Sequence, residues 1–90
     1  MEKLHQIPRL NSLFRFQFEP AQQCHVLLYP EGMVKLNQSA AEILIKIDGN
    51  NTIEQIHQQL TEQFPEAGDI QSDIIEFLDD AENKRWIHYG

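Results

Sequence analysis

Apolar and polar positions alternate over residues 14–19, where Phe14, Phe16 and Phe18 are separated by Arg15, Gln17 and Glu19. A period of two is that of a β-strand with one greasy face and one wet face. Pro20 cannot donate to a ladder and opens a connection through Ala21, Gln22 and Gln23. The run His25-Val26-Leu27-Leu28-Tyr29 is apolar on both faces, which predicts a central strand. Val26 and Leu28 fall on one side and Leu27 and Tyr29 on the other, so the pattern predicts cover on the back of this strand, from the N-terminal arm or from another copy. Pro30 sets the backbone angle that opens a turn and Gly32 is expected to take the positive angle that closes it. A short third strand follows over residues 33–36, with Val34 and Leu36 inward and Met33 and Lys35 outward.

Past Asn37 the period becomes helical. Ser39 and Glu42 have the spacing of a capping box, with Asn37 as the rival cap, and Ala40, Ile43, Leu44 and Ile47 form one stripe. Asp48-Gly49 is expected to stop that helix, Gly49 taking the left-handed conformation. A second helix starts at Asn51 or Thr52, carries Ile53, Ile56, Leu60 and Phe64 on one face, and ends before Pro65. A third begins near Asp69 and buries Ile70, Ile74, Phe77, Leu78 and Ala81, with Lys84 and Arg85 late, as the helix dipole favours. Ile75 falls off the main stripe, and Trp86, Ile87 and Tyr89 make an apolar patch beyond the helix. Residues 1–12, with Pro8 and Asn11 interrupting Leu4, Ile7 and Leu10, read as an irregular arm laid on the domain.

The expected fold class is therefore α+β: a three-stranded antiparallel sheet followed by three helices, resembling a winged helix-turn-helix, with residues 1–90 as one domain. In a three-strand meander the third strand is an edge, with backbone donors and acceptors unpaired along one side. Only Lys35 guards it, so it can dock an extended peptide.

Charge and composition narrow the classes of partner. A net charge of -7 repels phosphate backbones, and the seven Lys and Arg residues are scattered, so nucleic acid is not expected as a ligand. The single cysteine, Cys24, closes no internal disulfide, and no apolar run approaches the roughly 20 residues that span a bilayer. A soluble cytoplasmic protein is expected, with no membrane partner. Cys24 and His25 are the only close metal-ligand pair, and adjacent strand residues point to opposite faces, so no metal site is expected. His57 lies beside the Ile56 stripe as a solvent-facing residue, and His5 and His88 sit near the ends. Asp79, Asp80 and Glu82 read as a solvated helix face. Without a phosphate loop, nucleophile elbow or zinc ligand series, no catalytic residue and no cofactor are expected, and the chain reads as a binding module.

Several runs together resemble the PqqD family of pyrroloquinoline quinone (PQQ) biosynthesis. They are Phe14-Arg15-Phe16-Gln17, then Leu27-Leu28-Tyr29-Pro30-Glu31-Gly32 followed by Val34-Lys35-Leu36-Asn37, and then Ala40, Ile43-Leu44, Asp48-Gly49 and Ile56. The chain departs from the family pattern at Lys84-Arg85, where the family tends to place a small residue before its Trp. The resemblance implies a peptide chaperone that binds the precursor peptide PqqA and presents it to the radical SAM enzyme PqqE. It further implies that the peptide adds as a strand beside Met33, Val34, Lys35 and Leu36 and packs on a helix face formed by Ile74, Ile75 and Leu78. Two other classes stay open at this point: a winged-helix nucleic-acid-binding protein, and a self-associating structural subunit or homodimer suggested by the two-faced second strand and the Trp86 patch.

Overall fold

The computed structural model describes residues 3–89. Three antiparallel strands, β2 (Arg15–Glu19), β3 (Cys24–Tyr29) and β4 (Gly32–Lys35), form a sheet in the order β2-β3-β4. Three helices follow: α1 (Gln38–Ile45), α2 (Ile53–Gln63) and α3 (Gln71–Asn83). The α+β architecture expected from the pattern is present. The first, second and third strands of the sequence reading are β2, β3 and β4.

Register sorts the sheet into two faces. Phe16, Leu27 and Val34 lie opposite one another across the three strands, and all three belong to or pack on the hydrophobic core. Their alternates, Gln17, Val26 and Lys35, form the neighbouring row on the other face. Val26 is nevertheless fully buried there, flanked by its directly opposed neighbours Gln17 and Lys35. Directly opposed side chains on one sheet face lie only ~5 Å apart at Cβ, so two long chains can cover a valine between them.

The N-terminal arm is neither irregular nor laid on the back of β3. After a 3-10 turn over Lys3–His5, β1 (Pro8–Leu10) pairs antiparallel with β5 (Ile87–Tyr89) as a separate two-stranded sheet. Pro8 is tolerated because it is the first residue of its strand, and it is fully buried opposite Tyr89. Asn11 locks the junction. Its amide donates to the Trp86 carbonyl at 2.9 Å, its Nδ2 donates to the Arg85 carbonyl at 2.8 Å, and its Oδ1 accepts from the Leu13 amide at 3.0 Å.

Three local expectations are corrected by the structure. Asn37, not Ser39, caps α1: its Oδ1 accepts from the Ala40 amide at 2.8 Å. The reason is upstream, since the Leu36 amide still donates to His25 in the sheet, so the chain leaves the ladder one residue before the helix. Glu42, freed from a cap, accepts from Gln63 Nε2 at 3.3 Å and ties α1 to α2. Second, α1 ends at Ile45, and Asp48-Gly49 builds the turn into α2 rather than the helix stop. Asp48 Oδ1 accepts from the Asn50 and Asn51 amides at 2.9 Å each, and these bonds, Asn50 first, hold its carboxyl below the ordinary value. Gly49 does take a positive φ of 82°. Third, Gly32 is not among the residues with positive φ; it opens β4, and a Cβ there would stand 3.3 Å from the Tyr29 hydroxyl.

The N-terminal cap of α2 follows the sequence. Thr52 and Gln55 form a reciprocal capping box on α2, at 3.1 and 2.8 Å. At the end of α3 the Trp86 amide donates to the Ala81 carbonyl at 2.9 Å and the Arg85 amide to Glu82 at 3.0 Å, a Schellman closure. Arg85 stands where that closure usually takes glycine, with φ 66°. Lys84 pairs with Asp80 at 2.7 Å and its Nζ lies 5.3 Å from the Trp86 ring centre, so the Lys84-Arg85 departure is absorbed locally.

Candidate functional site, an open sheet edge

One hydrogen bond sets the polarity of the whole β4 backbone. The Leu36 amide donates to the His25 carbonyl at 3.0 Å, so Leu36 faces β3. In an antiparallel ladder the N–H and C=O of one residue point to the same side, and successive residues alternate. With Leu27 opposite Val34 and Tyr29 opposite Gly32, the inward residues are Gly32, Val34 and Leu36. Met33 and Lys35 therefore turn their N–H and C=O groups away from β3. No other strand pairs with β4 among the described residues, which leaves two donors and two acceptors in a row.

The seven residues named as a peptide site divide into three kinds. Met33, 41% exposed, and Lys35 lie on the solvent face of the sheet. Val34 and Ile75 are half-buried against the core. Leu36, Ile74 and Leu78 are core residues, at 6%, 2% and 0% exposure, and offer little or no surface themselves. The accessible part of the candidate site is thus backbone at Met33 and Lys35, with the flanks of Val34 and Ile75.

A feature absent from the sequence reading lies where α1 and the start of α3 face the end of α2. An apolar recess of about 400 Å³ is lined by Ile43, Leu60, Phe64, Ala67, Ile70 and Ile74, with Gln38, Ser39, Glu42 and Asp73 at its rim. Its residues come from three helices and a 3-10 turn, so no local periodicity marks them as one surface. Among the described residues no group of three or more His, Cys, Asp or Glu side chains comes together that could hold a metal ion. No helix among them is long and apolar enough to cross a membrane.

Comparison with known proteins places this geometry in a family. Residues 24–87 match the model of the family described as Coenzyme PQQ synthesis protein D (PqqD). That span contains β3, β4 and all three helices, and hence the whole candidate edge. A protein of Azotobacter vinelandii named PqqA binding protein is 57% identical over 84 residues, covering 93% of this chain and 91% of the relative. One of the same name from Acinetobacter baylyi is 52% identical, covering 93% and 85%. In three dimensions the chain resembles the solution NMR structure of the PqqD truncation of Methylobacterium extorquens PqqCD, a functional and stand-alone RiPP recognition element. The TM-score is 0.73 at 34% identity, covering 90% of this chain and 87% of that one. The crystal structure of PqqD from Xanthomonas campestris aligns with TM-score 0.57 at 32% identity, covering 88% and 89%. On the family match and on this identity over nearly its whole length, the chain belongs to the PqqD family.

Proposed function

We propose that residues 1–90 act as one recognition domain that binds the precursor peptide PqqA by strand addition at β4 and presents it to the radical SAM enzyme PqqE. The open edge at Met33 and Lys35 is the observation that carries this reading, together with relatives that bear the name PqqA binding protein. Main-chain pairing supplies affinity with little demand on sequence, and pockets for alternate side chains supply discrimination. In the proposed site Val34 and the half-buried Ile75 serve the core side of an added strand, and Met33 and Lys35 its solvent side. The role is to bind and orient, not to catalyse, and it is exercised in the cytoplasm, where ribosomal peptides emerge.

The test is a titration of the isotope-labelled chain with synthetic PqqA peptide, followed by NMR. The Met33 and Lys35 amides, which have no backbone partner among the described residues, shift most and gain protection from solvent exchange. Peptide binding that leaves those two amides unmoved would remove β4 as the site, and no binding at all would remove the function.

A further inference from the structure

Helix α1 has a recess on each flank. Ser39 and Ile43 look onto the apolar recess beside α2 and α3, and Ala41, on the opposite flank, looks onto a second hollow of about 450 Å³ at the end of the main sheet. Gln38 and Glu42, one helical turn apart, form the ridge between the two and line both. The floor of the second hollow is the last row of side chains on the core face of the sheet. It consists of Phe18, its directly opposed neighbour His25, and Leu36, whose amide donates to the His25 carbonyl at 3.0 Å. Gln23 and Cys24, where the chain enters β3, close one side.

The lining gives this hollow a chemical preference. Glu42 is its only acidic residue, and it holds no Lys or Arg. The Glu42 carboxylate accepts from Gln63 Nε2 through Oε1 at 3.3 Å, and no cation pairs with it among the described residues, so its charge is uncompensated and Oε2 is free. Phe18 is 52% exposed although it sits on the apolar face of its strand. Its ring is held in place: it stands at 73° to the His25 ring, 5.2 Å between centres, and His25 is in turn stacked on Phe16 at 5.0 Å. An exposed, fixed aromatic ring and an unpaired carboxylate in one hollow are the elements of a cation site, because the ring quadrupole and the carboxylate both favour positive charge.

The geometry points to an arginine side chain of a partner protein as the occupant of this hollow. A guanidinium stacks on an aromatic ring and offers a planar fork of donors to a carboxylate, whereas an ammonium is a compact point charge. The carboxamides of Gln23 and Gln38 supply further acceptors. An apolar side chain seated here would take Glu42 out of water with its charge unmet, and an acidic one would meet it with like charge. At longer range the net charge of -7 draws a cationic segment towards the chain. The hollow shares only the core residue Leu36 with the proposed peptide site, and none of its lining comes from α3. A peptide paired with β4 therefore leaves it open, and both sites can be filled together.

An NMR titration of the isotope-labelled full chain with Nα-acetyl-arginine methylamide tests the assignment, with the citrulline analogue, of the same shape but neutral, as the comparison. The arginine probe shifts the amides of Cys24, His25, Gln38 and Glu42 along a saturable curve, and the citrulline probe binds at least about tenfold more weakly. Glu42→Gln weakens the arginine probe at least about tenfold and Phe18→Leu at least about threefold. Circular dichroism verifies that each variant is folded. Arginine binding persists when synthetic PqqA peptide is added at saturation. Because the first titration contains no peptide, a failure of peptide binding at β4 leaves its result intact. Four outcomes overturn the proposal: no saturable shift at tens of millimolar probe, equal binding of the citrulline analogue, an unchanged affinity in either folded variant, or displacement of the arginine probe by the peptide.

Discussion

Proline at position 33 or 35 and proline at position 34 are opposite experiments, although the residues are neighbours. Met33 and Lys35 turn their amides to the open side, so Met33→Pro or Lys35→Pro removes a donor that only a visiting strand would use. Val34 turns its amide to β3, so Val34→Pro removes a ladder bond and drives the ring into the sheet, a loss of ~3 kcal/mol or more of stability by analogy with helix interiors. The expected result is tenfold or greater weakening of PqqA peptide binding for Met33→Pro and Lys35→Pro, each with nearly unchanged unfolding midpoint, and a lowered midpoint for Val34→Pro; calorimetric titration beside thermal melts reads both. The alternation of Val34 and Leu36 with Met33 and Lys35 was legible in the sequence as side-chain direction. Which of them carries the free amide was not, because that depends on the bond from Leu36 to His25 and hence on where β3 lies.

Among the elements, the paired end segments β1 and β5 respond to alkaline pH. Tyr89 sits in β5 with its pKa pushed up to about 12 by burial, and then by the nearby carboxylates of Glu82 and Asp79. Its neutral form is thus favoured in the folded chain. The unfolded chain releases this proton near its ordinary value of 10.0, so the contribution of Tyr89 to stability is constant below that pH and falls as pH rises from 10.0 towards about 12. Urea unfolding at pH 9, 10 and 11 is expected to show this decline in the parent chain and a shallower one in Tyr89→Phe. Helix boundaries were largely readable: Thr52 and Pro65 bound α2 as their chemistry requires. The capping of α1 was not, because Ser39 has the right residue type at the right spacing, and the exit of the chain from the sheet at Leu36 hands the role to Asn37.

At the scale of the molecule, the two ends of the chain meet. Leu4 and Leu10 from the first residues and Ile87, Trp86 and Tyr89 from the last pack on one core with the helices. The amide of Ile53, first residue of α2, donates to the Gln6 carbonyl at 3.0 Å, so the arm also holds a helix N-terminus. A chain starting at Ser12 loses the partner strand of β5 and the Asn11 bonds to Arg85 and Trp86. Removing two partly buried leucines and these bonds is expected to cost roughly 3 kcal/mol, a fall of over 10 °C in unfolding midpoint for a domain of this size. A thermal melt of the shortened chain beside the full one measures it, and an equal midpoint would show that the arm adds nothing to the fold.

The amino-acid sequence by itself determined the three strands of the main sheet, the three helices and the core face of every one of them but β3, because side-chain period, caps and turn residues act over a few neighbours. Phe16, Val34, Ile43, Ile56 and Leu78 were readable as core for that reason, and Lys35 and Met33 as outward. Tertiary structure alone decided that Pro8–Leu10 pairs with Ile87–Tyr89, that Ile74 and Leu78 are almost wholly buried, and which backbone groups remain unpaired along β4 among the described residues. Each of these depends on contacts between residues far apart in the chain. A backbone amide carries no mark in its own side chain of whether a partner strand has come to meet it.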